Sequence, residues 1–200
     1  MLTQLTTIKA RLNISPADTT QDELLTRAIA AVSARFDHEC NRTLARTVDA
    51  TQEFVATERE IVARFYPIEA VTKFELKTTE AEGWVERTVE DYLVRQACVI
   101  SLGLPLAVTP RVSSVNPGLG RVTYTGGYVL PGTAPSPGQT ALPADLESAA
   151  VEQVAVWHQQ RDKLGLIRHW PSSGTYLVLS QLPLLPQVAA MIRPYRRWAI

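Results

Sequence analysis

The sequence predicts an α+β protein: a small helical bundle with an inserted antiparallel β region, followed by an extended C-terminal tail and a short helix. Three observations carry this reading. Apolar residues recur at helical spacing up to about Asn41 and again after Pro143. Between Thr51 and Thr125 the period drops to two, and β-branched and aromatic residues take over. The run Val122-Thr123-Tyr124-Thr125-Gly126-Gly127-Tyr128 then ends a strand at a double glycine, and a Pro/Gly-rich loop leads to a helix that opens at Pro143.

Taken in order, Leu5, Ile8, Leu12 and Ile14 mark a first helix over Leu5 to Leu12, broken between Asn13 and Asp18. Thr20-Gln21-Asp22-Glu23 reads as a capping box for a second helix running to Asn41. Its apolar face is Leu24, Leu25, Ala28, Ile29, Val32, Phe36 and Cys40. The β region, residues 51–128, offers strands at Glu53 to Thr57, Glu60 to Phe65, Val71 to Lys77, Trp84 to Val89, Tyr92 to Val94, Cys98 to Ser101 and Arg121 to Thr125. These are expected in one small antiparallel sheet, with Leu102 to Gly120 as irregular chain.

The loop 129–142 holds Pro131, Gly132, Pro135, Pro137 and Gly138, a composition expected to stay extended or flexible until something orders it. A core helix follows over 143–165, with Leu146, Ala149, Ala150, Gln153, Val154 and Trp157 on one face. The last part, 166–200, is a C-terminal arm with an apolar run and a short helix from Pro186 to Pro194. With residues 1–50 as the helical start, these segments form one composite domain.

Composition narrows function by exclusion. Across 200 residues, twenty basic side chains balance twenty acidic ones, so the basic surface that drives sequence-independent DNA binding is missing. No signal-peptide pattern opens the sequence and no apolar run approaches a membrane span, so no membrane partner is expected. The two cysteines, Cys40 and Cys98, read as reduced thiols.

No catalytic motif is present. Gly118-Leu119-Gly120 begins like a dinucleotide fingerprint, but Thr123 stands where the third glycine is needed and a strand follows. There is no phosphate loop, nucleophile elbow or paired-histidine zinc helix. His38 and Cys40, two apart on a helix, point in opposite directions and cannot share a metal. His158 beside Trp157 and His169 beside Trp170 read as structural. The acidic groups Glu58/Glu60, Glu80/Glu82 and Glu90/Asp91 fall at turns and strand ends, where solvation explains them. The chain is therefore not read as an enzyme, and no catalytic, cofactor or metal site is assigned.

The candidate site is a partner interface in the C-terminal arm: Tyr176, Leu177, Leu179, Leu184, Leu185, Arg193, Tyr195, Arg196, Arg197 and Trp198. Arginines and aromatics are the residue types that anchor interfaces. A helix C-terminus also welcomes cations through its dipole, and the apolar run can pack on its own core, so both readings stand.

The order of elements resembles the head-tail connector (adaptor) proteins of tailed bacteriophages. The resemblance is carried by Leu5-Thr6-Thr7-Ile8-Lys9-Ala10-Arg11-Leu12, the helix Asp22 to Phe36, Tyr66-Pro67-Ile68, Val122 to Tyr128 and Leu142-Pro143-Ala144-Asp145-Leu146. It ends in Leu184-Leu185-Pro186-Gln187-Val188 and Pro194-Tyr195-Arg196-Arg197. It implies a helical bundle with a β insertion, a homo-oligomeric ring usually of twelve copies, and no catalytic residues. It also implies docking on the portal protein, extension of a channel through which genomic DNA passes without sequence-specific contact, and a surface for stopper or tail proteins. The expected location is the virion at the head-tail interface, after assembly in the host cytoplasm. The alternatives are a tail-completion or stopper protein, and a small nucleic-acid-binding protein using Arg193, Arg196 and Arg197.

Overall fold

The computed structural model describes residues 1–106, 118–161, 167–169, 176–178 and 184–197. The fold is α+β, and the chain divides into two compact units. A helical unit comprises Met1–Asn41, Leu130–Thr133 and Leu142–Ile200, and a β unit comprises Arg42–Val129 and Ala134–Ala141.

In the helical unit, α1 spans Leu5–Arg11 and α2 spans Asp22–Glu39. α1 stops where Asn13 takes a left-handed backbone, φ 56°. α2 buries Leu25, Ile29, Val32 and Phe36, the face predicted from spacing, followed by Cys40. Leu24 departs from that face and is 46% exposed. The predicted capping box does not form. Gln21 occupies the N-cap position without a side-chain cap bond, and the Thr20 hydroxyl donates instead to Asp18 Oδ1 at 2.7 Å. The start of α2 is held by the buried Lys9 ammonium, which reaches Asp22 Oδ1 at 2.5 Å, the Asp18 carbonyl at 2.7 Å and the Pro16 carbonyl at 3.3 Å.

α3, Ala144–Gln160, follows Pro143 and buries Leu146, Ala149, Ala150, Val151, Gln153, Val154 and Ala155. α4, Pro186–Ile192, buries Val188 and Ile192 and runs into a 3-10 turn, Arg193–Tyr195.

Among the described residues of the β unit, the first seven strands divide between two sheets where the periodicity predicted one. Strands β1 (Thr47–Val55), β3 (Ile68–Lys77), β4 (Val85–Arg87) and β7 (Leu119–Gly126) form an antiparallel sheet in the order β1-β7-β3-β4. Strands β2 (Glu60–Val62), β5 (Tyr92–Arg95) and β6 (Val99–Leu102) form a second, in the order β2-β6-β5. Phe54, Phe74, Val122 and Tyr124 of the first sheet and Ile61, Ile100 and Leu102 of the second share one buried cluster. The Tyr124 hydroxyl donates to Gln52 Oε1 at 2.9 Å and accepts the Arg64 amide at 2.8 Å, which satisfies a buried polar group in that cluster.

On the opposite face, register places Glu53, Arg121, Glu75 and Glu86 in one row across β1, β7, β3 and β4. Arg121 Nε donates to Glu75 Oε2 at 2.7 Å, Lys73 Nζ lies 2.8 Å from Glu75 Oε1, and the Arg121 guanidinium sits 4.3 Å from the Trp84 ring centroid. These charge-assisted bonds hold the Glu75 carboxyl well below its ordinary value of 4.5, at about 2, with Arg121 the larger influence and Lys73 the second.

The double glycine allows backbone to pass backbone. A Cβ at Gly126 would lie 2.4 Å from the Phe65 carbonyl oxygen and 2.9 Å from that of Pro67. Gly127, at φ 104°, would bring one to 2.6 Å from the Ala45 carbonyl oxygen. Beside this crossing Arg42, 5% exposed, stacks 3.3 Å from the Tyr66 ring centroid and 5.3 Å from that of Tyr128, and donates to the Tyr66 carbonyl.

The Pro/Gly-rich loop is tied at its base. β8 (Tyr128–Val129) pairs in parallel with β9 (Thr140–Ala141). The predicted irregular segment contains β7 from Leu119 onward, and its residues 107–117 lie outside the described residues.

Candidate partner interface

The C-terminal arm is fastened to the helical unit by apolar anchors and then by polar contacts. α4 begins with Pro186 in its first turn, where the missing amide is not needed. The preceding Leu185 amide donates at 2.9 Å to Oε1 of Gln153, a fully buried residue of α3. A buried glutamine is expensive unless bonded, so this contact fixes where α4 starts. Val188 and Ile192 then go down into the core at 0% exposure, one helical turn apart.

Beyond α4 the chain lies across the end of α2 and the start of α3. The Tyr195 hydroxyl sits 2.8 Å from both carboxylate oxygens of Asp145 in the first turn of α3. That carboxylate also accepts the Leu146 amide at 2.9 Å, at the helix end where negative charge is favourable. Arg196 Nη2 reaches Glu39 Oε2 at 3.0 Å, and Glu39 Oε1 lies 2.8 Å from Arg35 Nη2. Glu39 is the last residue of α2, where the dipole disfavours a carboxylate, so two flanking guanidinium groups offset its position. The Arg197 amide donates to the Cys40 carbonyl at 2.8 Å, and the Cys40 thiol is 3.9 Å from the Ile192 carbonyl oxygen.

The structure brings together Leu185, Tyr195, Arg196 and Arg197 of the sequence-derived set, with Leu184 half-buried and Arg193 exposed. Tyr176 and Leu177 lie in β11 (Tyr176–Val178), which pairs antiparallel with β10 (Ile167–His169). Leu179 and Trp198 lie outside the described residues. The acceptors Gln153, Asp145 and Glu39 were not singled out by sequence reasoning. Gln153 alone gave a signal, as a polar residue on an otherwise apolar helical face.

Other candidates group differently. Cys40 is buried, Cys98 is partly exposed and neither is in a disulfide, while His38 is at the surface. His158 Nε2 is 2.5 Å from Gln21 Oε1 within the helical unit. The acidic turn residues are exposed: Glu60 pairs with Arg95, Lys77 with Glu80 at 2.6 Å, and Glu82 accepts the Thr78 hydroxyl. Among the described residues no group of three or more His, Cys, Asp or Glu side chains could hold a metal ion, and no helix is long and apolar enough to cross a membrane.

Comparison with known proteins addresses the chain as a whole. Residues 2–93 match the family described as Phage gp6-like head-tail connector protein. Among solved structures, a chain in the neck of an empty gene transfer agent particle, computed with C6 symmetry, aligns with a TM-score of 0.58 and 17% identity, covering 98% of this chain and 89% of that one. A chain from the virion of the native particle gives 0.55 and 16%, again covering 98% and 89%. A chain of the native neck, computed with C12 symmetry, gives 0.52 and 17%, covering 98% and 91%. At such identities the likeness establishes a shared fold. No curated protein sequence matches the chain. The resemblance read from the sequence is thus carried over residues 2–93 by the family match: the chain is similar there to the phage gp6-like head-tail connector proteins.

Proposed function

We propose that this chain is a structural virion protein, a head-tail connector that docks as a ring on the portal, extends the DNA channel and offers the attachment surface for stopper or tail. The observation that carries the reading is the match of residues 2–93 to the connector family. The fold shared along the chain with neck proteins of gene transfer agent particles supports it. So does the charge balance, twenty against twenty, which suits a channel that passes DNA without gripping it. Arg196, one of the three arginines a nucleic-acid reading would need, is already engaged by Glu39.

Native mass spectrometry of the purified protein, alone and with its cognate portal, tests the proposal. A portal-dependent ring, of twelve copies in the reading made here, is the expected result. A monomer that ignores portal would overturn it and transfer the weight to a tail-side completion protein, for which purified tail would then be the bait.

A further inference from the structure

We propose that Arg42 is the receptor of an oxyanion site in the β unit, taking a phosphate or carboxylate group that its own surroundings do not supply. Three charged side chains are buried among the described residues: Lys9, Arg42 and Glu75. Lys9 has Asp22 as its counter-charge, and Glu75 has Arg121 and Lys73. Among the described residues Arg42 has no ion pair. It is 5% exposed, its Nη2 donates to the Tyr66 carbonyl, and its Nε and Nη1 are buried without an acceptor. A buried lysine or histidine can shed its proton, but a guanidinium keeps its charge at any ordinary pH. Burial therefore leaves Arg42 a cation whose remaining N–H groups need a partner.

Chemistry selects the ligand. The Tyr66 and Tyr128 rings, with centroids 3.3 and 5.3 Å from the guanidinium carbon, attract the cation and offset part of its burial. Ring faces do not accept the N–H groups that lie in the guanidinium plane. A water molecule would accept them and leave the charge unmet. An oxyanion does both, through charge-assisted bonds of the strong kind. Glu69, one residue past the Ile68–Gly126 pair, is committed elsewhere, since Arg46 holds its carboxylate through Nε and Nη2 at 2.8 Å each. Tyr128 is 8% exposed and Tyr66 is half-buried, so an anion enters past Tyr66.

The Arg42 Nε–H signal reports the site directly. In nitrogen-15 NMR spectra it is assigned by its loss in Arg42→Met, or in Arg42→Lys where the first variant does not fold. The parent chain is titrated with sodium phosphate and, separately, with sodium acetate, at an ionic strength held constant with sodium chloride. The expected result is a saturating shift of this signal with at least one of the two. At tenfold the dissociation constant, the thermal midpoint of the parent should rise by about 4 °C, with no rise in the variant. A signal that stays in place through both titrations would overturn the site, as would equal midpoint gains in parent and variant. The source of the oxyanion is read from protein concentration in chloride alone. A midpoint that rises with concentration in the parent and not in the variant assigns a carboxylate from a second copy, and one that stays constant assigns a free anion. Neither readout needs portal, so the result is independent of the connector reading.

Discussion

Glu75 and Arg121 stand opposite each other on β3 and β7, joined by a 2.7 Å hydrogen bond on the face away from the β core. The carboxylate is almost enclosed, with Lys73 on its other oxygen. Its folded value of about 2 lies below the ordinary 4.5, so its stabilising effect is complete above about pH 4.5 and is lost as pH falls towards 2. Glu75→Gln should lower the urea midpoint at pH 7, and the gap to the parent should close as the pH is brought from 5 to 2.5. A gap that stayed constant would show that the pair does not contribute through ionisation.

Gly126→Ala places a methyl group against two backbone carbonyl oxygens, at 2.4 and 2.9 Å, that no side-chain rotation can move. It should cost about 3 kcal/mol, the upper part of the range for overpacking. Gly138→Ala meets no atom within 4 Å and only strains a backbone at φ 88°, so about 1 kcal/mol is expected. Chemical denaturation of the two variants side by side checks the difference.

Lys9→Met leaves Asp22 without its buried cation and the Pro16 and Asp18 carbonyls without their donor. Removing one member of such a pair should destabilise the protein by about 3 kcal/mol. By contrast Glu152→Ala, which breaks an Arg11 pair with side chains 48% and 41% exposed, should cost under about 1 kcal/mol. Thermal melts at fixed ionic strength would separate them.

Within α2, Ile29→Ala should cost roughly 2–5 kcal/mol through the cavity it leaves, since Ile29 is 1% exposed. Leu24→Ala, at 46% exposure, should change stability by about 0.5 kcal/mol or less. Equal losses would place Leu24 back on the buried face that spacing gave it.

The helices were legible because burial follows a periodic stripe: Leu25, Ile29, Val32 and Phe36 can be named from spacing alone. Leu24 was misplaced because adjacent apolar residues lie about 100° apart on a helix, and one of the two must leave a narrow face. The strands were legible by alternation, but their division into two sheets was not, since period-two patterning fixes which face is buried and not which strand pairs with which. The capping box failed on a competing local bond, Thr20 to Asp18, which has the same chemistry as a cap. In the arm, Tyr195 and Arg196 could be named from residue type, whereas Asp145 and Glu39 are 50 and 157 residues away in sequence and become partners only through the fold.

The β unit is dominated by one uninterrupted stretch, Arg42–Val129, whereas the helical unit joins residues from both sides of it. On the ribosome, the strands can therefore find all their main partners while the C-terminal third of the chain is still unmade. α1 and α2 cannot: Leu25, Ile29 and Phe36 wait with their apolar stripe uncovered until α3 has been translated. The nascent chain passes through a stage with a finished β body and an orphaned helical pair, and that pair is where a chaperone would be needed.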